Sequence, residues 1–251
     1  RMHRPGKLRV LLLTTEYPGL THSGGLGTYT ATIAGGLRDR GHEVDVMVCA
    51  RARPRQDLQI DGTEVHVRPV SPMRWPGSLP GLPDRLALAL SFRKELARIA
   101  DRFDVVQGAE FLAPTLLVPR TGRRALIVRL SSPARLLSEF DGDSVRLGAL
   151  LGDRLERRTA RRADAVIAPN RLLVERLTKR GWLDGTSVEI VPTPVDVSFW
   201  ADLGSAEESP PTILAVGRIQ GHKGPDVLVN AAAKVTRVVG GTKLVFVGRS
   251  C

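Results

Sequence analysis

Aromatic side chains are scarce, at 4% of the 251 residues, and none interleaves with the basic runs as the stacking platform of a nucleic-acid reader would. Nucleic acid is therefore not an expected partner, although the formal net charge is +11. Cysteine is nearly missing too. Cys49 falls at the end of a strand-like run and Cys251 is the last residue, so there is neither a disulfide framework nor zinc-type ligand spacing, and His3, His42, His66 and His222 add none. No apolar run reaches the roughly 18 residues of a spanning helix, and the opening RMHRPGKLRV leads into a strand-like run without a signal peptide. A soluble protein of a reducing cytoplasm is expected. Its positive charge implies anionic partners, which leaves phosphorylated small molecules or, weakly, the inner face of a membrane. The arginine before Met2 and the ending at Cys251 read as the ends of a trimmed fragment.

What is present is an alternation of strand-like and helix-like stretches. KLRVLLLTT, GTYTATIAGGLRDRG and EVDVMVCA form a first βαβ unit, its last strand apolar enough for a sheet buried on both faces. TEVHVRPV alternates with period two and reads as an extra or edge strand; a loop with Pro72, Pro76, Pro80 and Pro83 follows. Over residues 84–102, Leu88, Phe92, Leu96 and Ile99 share one helical face opposite Lys94, Glu95, Arg98 and Arg102. DVVQGAE, ALIVRLS, ADAVIAP and VEIVPTP supply further strands, so residues 1–198 read as a Rossmann-like, doubly wound parallel sheet of α/β class. Residues 199–211, acidic, small and proline-bearing, read as a linker. In residues 212–251 a second βαβ pattern starts and remains unfinished, near the size below which a domain seldom stands alone. Residues 211–251 are expected either to be mobile or to pack against the first domain through Val227, Leu228 and Ala231.

Two segments carry chemistry. Gly24, Gly25 and Gly27 lie between the first strand and the first long helix, where backbone N–H groups and the positive helix end meet an anion. An NAD fingerprint is excluded by its spacing, since EYPGLTHS lengthens the turn and Thr30 stands where the third glycine belongs. Glu16 and His22 flank this loop as acceptor-side candidates. The second segment, VGRIQGHKGPDVLV, puts Arg218 after a strand and Lys223 before a helix, two cations suited to a diphosphate. The basic run Arg157-Arg158-Thr159-Ala160-Arg161-Arg162 does not segregate from the leucines before it and reads as the end of a surface helix, with lipid contact the lesser alternative.

SGGLGTY, ADAVIAPN, VEIVPTPVD and ILAVGRIQGHKGPDVLVNAA occur in the order seen in family-four retaining glycosyltransferases, and the chain resembles that family over essentially its whole length. The resemblance implies the N-terminal domain of the B-type fold plus the first part of the C-terminal one. It further implies a nucleotide-diphosphate sugar as donor, a small-molecule, glycan or lipid-linked acceptor, Arg218 and Lys223 on the leaving diphosphate, and a front-face mechanism needing no cofactor or metal. Two features depart from the pattern. Ser131, in Arg129-Leu130-Ser131-Ser132-Pro133, stands where relatives commonly carry a histidine, and the family's paired-glutamate segment would fall beyond Cys251. They make weak transfer by the isolated chain, or a non-catalytic module completed by a partner chain, the alternative expectation.

Overall fold

The structure, a computed structural model, describes residues 6–21, 24–51, 53–71, 82–120, 122–140, 147–197, 201 and 210–248. The chain divides into two compact units, one of residues 1–135 and 146–195, the other of residues 136–145 and 196–251. Most of the expected linker lies outside the described residues.

The first unit is built on β1 (Arg9–Thr14), whose Leu11, Leu12 and Leu13 are buried on both sides of the pleat. Because successive strand side chains point to opposite faces, Val10 and Leu12 join Val46, Val48, Val65 and Ala34 in one cluster. Leu11 and Leu13 join Met47, Leu88, Phe92 and Leu96 in another. Burying each such side chain is worth about 1.5–3 kcal/mol. The first cluster lies under α1 (Gly25–Asp39), the second under α2 (Leu82–Ile99), whose buried stripe is the one the periodicity predicts.

The sheet has eight strands. β2 (Glu43–Ala50) and β5 (Val105–Ala109) flank β1, and β6 (Ala125–Arg129), β7 (Ala165–Ala168) and β8 (Val188–Ile190) continue on the β5 side. On the β2 side lies β4 (Thr63–Pro69), and beyond it β3 (Gln56–Ile60). Every neighbouring pair is parallel except β3 with β4. The edge is thus β3, which the sequence reading passed over, and TEVHVRPV is an inner strand. The hairpin turns on Asp61 and Gly62 with φ of 48° and 71°, the left-handed pair that a two-residue hairpin requires. Two further helices, α4 (Leu147–Arg161) and α5 (Arg171–Lys179), lie between β6 and β8, and α3 (Ala134–Phe140) precedes them. Asn170 caps α5, its side chain accepting the Leu173 N–H at 2.9 Å.

The second unit has β9 (Thr212–Val216) and β10 (Lys243–Val247) paired in parallel around α6 (Pro225–Val238). Of α6 only Ala232 is buried. Val227 and Ala231, expected on its packing face, are exposed, and so are Leu214, Val216, Val245 and Val247 on the strands.

Candidate functional site

Strand order reverses at β1: the chain moves from β1 to β2 on one side and returns through α2 to β5 on the other. In an open parallel sheet the crevice outside the carboxyl ends at such a switch point is where ligands bind. Thr14, Gln107, Ala109 and Arg129 line a recess of about 30 Å³ there, room for about one water. A larger cavity of about 460 Å³ opens beside it between Thr15, Arg51, Arg53, Arg85 and Leu112. Arg51 is paired with Asp84 at 2.5 Å on its wall.

The glycine loop is not an open anion site. The Gly24 and Gly27 N–H groups donate to Glu16 Oε2 at 2.7 and 3.3 Å, so the positive end of α1 is already met by the chain's own carboxylate. This corrects two expectations, an external anion on those amides and a Glu16 free to face an acceptor. A Cβ on Gly24 would lie 3.1 Å from the same oxygen, so this glycine admits the carboxylate. Gly25 is exposed. His22 lies outside the described residues.

On β6, Arg129 is 6% exposed and among the described residues has neutral partners: its guanidinium stacks 3.7 Å from the Tyr29 ring centre, and Nη2 donates to Thr193 Oγ1 at 2.7 Å. Gln107 Nε2 donates to Tyr29 Oη at 3.0 Å. Burial raises the Tyr29 pKa, opposed by the guanidinium.

Ser131 follows β6 and is half-buried. Its N–H donates to both Glu110 carboxylate oxygens at 2.9 and 2.8 Å, and its Oγ lies 3.2 and 3.1 Å from them. Glu110, just past β5, is wholly buried, and its pKa is pushed up to about 7, first by burial and then by neighbouring Glu156. Glu156 of α4 is itself raised by burial, against the pull of Arg85. Its Oε1 accepts from Arg85 Nη2 at 3.0 Å and from the Leu112 N–H at 3.2 Å, its Oε2 from the Ala134 N–H at 3.0 Å. Sequence reasoning missed Glu110, Glu156 and Arg85 altogether. Only an acid at the end of DVVQGAE signalled the first.

In the second unit Arg218 and Lys223 are exposed, and neither is ion-paired among the described residues. Lys223 ends a short 3-10 turn, Gly224 adopts φ 65°, and Pro225 with Asp226 opens α6 as the sequence suggests. The basic run of α4 is partly structural: Arg161 donates to the Gly181 carbonyl and to Asp184, and Arg162 to the Val118 carbonyl. Among the described residues no helix is long and apolar enough to cross a membrane, and no group of His, Cys, Asp and Glu converges as a metal site.

The profile of glycosyltransferase family 4 matches residues 23–199. A D-inositol 3-phosphate glycosyltransferase of Acidothermus cellulolyticus is 30% identical over 249 residues, which are 92% of this chain and 54% of that protein. Its namesake in Nocardia farcinica is 27% identical over 254 residues, 93% of this chain and 55% of that protein. The chain thus spans about half the length of the curated relatives it matches. The catalytic domain of starch synthase IV from Arabidopsis thaliana, bound to ADP and acarbose, superposes with a TM-score of 0.67 at 15% identity, over 97% of this chain and 69% of that one. Sucrose-phosphate synthase from Thermosynechococcus elongatus does so with 0.69 at 14% identity, over 96% and 62%. At such identities the likeness shows the fold.

Proposed function

From the premise that this chain belongs to glycosyltransferase family 4, we propose that it supplies the acceptor-side domain and the opening of the donor-side domain of an enzyme that moves a sugar from a nucleotide diphosphate to an acceptor hydroxyl, with retention at the anomeric carbon. The observation that carries this reading beyond the family is the pair of exposed cations Arg218 and Lys223, without an ion pair among the described residues, between a parallel strand and the first turn of α6. Negative charge grows on the leaving diphosphate during transfer, and preplaced cations with a helix N-terminus stabilise that charge more than the ground state. A departing phosphate oxygen takes the proton of the attacking hydroxyl, so the step requires no carboxylate nucleophile, cofactor or metal from the chain.

The acceptor side is the carboxyl edge of the first sheet. The relatives are named for D-inositol 3-phosphate, which makes a phosphorylated polyol the first acceptor to test here. Support comes from the cavity beside Thr15, large enough for a small polyol and walled by Arg51, Arg53 and Arg85. A glycan or lipid-linked acceptor is the competing class.

Calorimetric titration of UDP, GDP and ADP into the native polypeptide that carries this sequence tests the donor reading. One of the three binds, and Arg218→Ala weakens it by about tenfold or more, as loss of a hydrogen bond to a charged group does. If none binds and Arg218→Ala is silent, the reading fails. The alternative is a non-catalytic module completed by a partner chain, favoured by a serine at position 131 in place of a base. Binding without turnover would select it.

A further inference from the structure

Two buried carboxyl groups sit behind the carboxyl ends of β5 and β6, and among the described residues only one of them, Glu156, is paired with a cation. Glu156 accepts from the Arg85 guanidinium and from the amides of Leu112 and Ala134, a donor set that matches a carboxylate. Glu110 accepts from the N–H and the hydroxyl of Ser131 and, more weakly, from its own backbone N–H, and has no ion pair among the described residues. The charged groups around it are Glu156 from α4 and, across that carboxylate, Arg85 from α2. Arg129, two residues before Ser131, turns away onto Tyr29 and Thr193.

We propose that Glu110 is a positioning residue for Ser131, and that its protonation sets whether the Ser131 hydroxyl meets a sugar as acceptor or as donor. The ionised carboxylate can only accept. It then holds both the N–H and the Oγ–H of Ser131, and the hydroxyl presents lone pairs alone to whatever lies at the sheet edge. A protonated Glu110 keeps the N–H bond on one oxygen and donates its own proton to Ser131 Oγ from the other. The serine proton is then released to point outward, with no heavy atom displaced. Burial of an unpaired carboxyl beside a like charge brings the two forms within reach of each other near neutral pH. Ser131 is half-buried at the carboxyl end of β6, whereas Glu110 is wholly buried, so a ligand at the sheet edge is met by the serine and not by the carboxyl group. The role in sugar recognition rests on the glycosyl-transfer reading; the proton coupling does not.

Infrared difference spectra of the chain between pH 5 and 9 read the coupling directly. The carboxylic-acid carbonyl band of Glu110 disappears with an inflection near neutrality and is missing in Glu110→Gln, whose amide mimics the protonated form. Ser131→Ala keeps the band and moves its inflection upward by about half to one pH unit, because the charge-assisted bond lost from the ionised form outweighs the neutral one lost from the protonated form. In the native polypeptide, the pH profile of transfer or of donor-sugar affinity shows the same inflection, and Glu110→Gln flattens it. A band that survives Glu110→Gln, or an inflection that Ser131→Ala leaves in place, overturns the proposal. If the band and its Ser131 dependence are seen while no sugar nucleotide binds, the coupling stands and the transfer reading falls.

Discussion

At the residue scale, the first unit carries buried charge in amounts that composition does not foretell. The Arg85 and Glu156 side chains are 8% and 0% exposed, and their contact ties α2 to α4 beside the β5 end. Removing one partner leaves the other as a buried charge without its counter-ion, which typically costs about 3–5 kcal/mol. Arg85→Met is accordingly expected to lower the urea midpoint strongly, and adding Glu156→Leu to recover only part of the loss, because the Leu112 and Ala134 amides then lose their acceptor; a double-mutant cycle by chemical denaturation measures both. The sequence hid this pair because 71 residues separate its members and each sits among other charged residues in a helix. Arg129 was hidden differently: it stood in plain view in RLSS, but nothing local says that Tyr29 and Thr193 would close over it.

At the element scale, the β3–β4 hairpin shows how a strand of weak hydrophobicity is held at an edge. QDLQI offers little apolar surface, and its place is fixed by the Asp61-Gly62 turn and by His66 of β4, whose ring nitrogens meet Asp57 of β3 at 2.8 Å and Asp45 of β2 at 3.1 Å. The bond to Asp45 is the largest influence raising the His66 pKa, with burial opposing and Asp57 assisting. A histidine whose folded pKa is raised contributes stability that is complete below its unfolded value of about 6.5 and fades as pH climbs through the folded value. Denaturation midpoints should therefore fall as pH rises above 6.5, and His66→Gln should remove that part of the slope. An identical slope in His66→Gln would contradict it. Asp-Gly is a hairpin signal, but it marks a turn only between two strands, and three of the five residues before it are polar, which leaves β3 without a strand-like apolar pattern.

At the scale of the whole molecule, the two units differ in how much apolar surface they bury. The eight-stranded sheet has its central strands covered on both faces, while both strands of the second unit expose every other residue, Val216 to 75% and Leu214 to 59%. Local opening free energy follows such burial. Native-state hydrogen exchange should show the amides of β9 and β10 exchanging faster than those of β1 and β2 by orders of magnitude, and equal protection of both sheets would refute the contrast. Glu110 adds a second pH term to the first unit with the same sign as His66. Its folded pKa of about 7 exceeds the unfolded value of 4.5, so the folded state holds more protons between them and stability declines across that interval.

The sequence by itself determined the α/β class, the order of most strands, the buried stripe of α2 and the family to which residues 23–199 belong. These follow from periodicity and short motifs, which are local properties of the chain. Tertiary structure alone decided that Glu16 closes the glycine loop, that His66 pins an unforeseen edge strand, and that Ser131 rests on a buried Glu110. Each of those joins groups that are distant in sequence or lie on opposite sides of a turn. The environment that sets a carboxyl group's charge is assembled only when its neighbours have been brought together and water has been excluded.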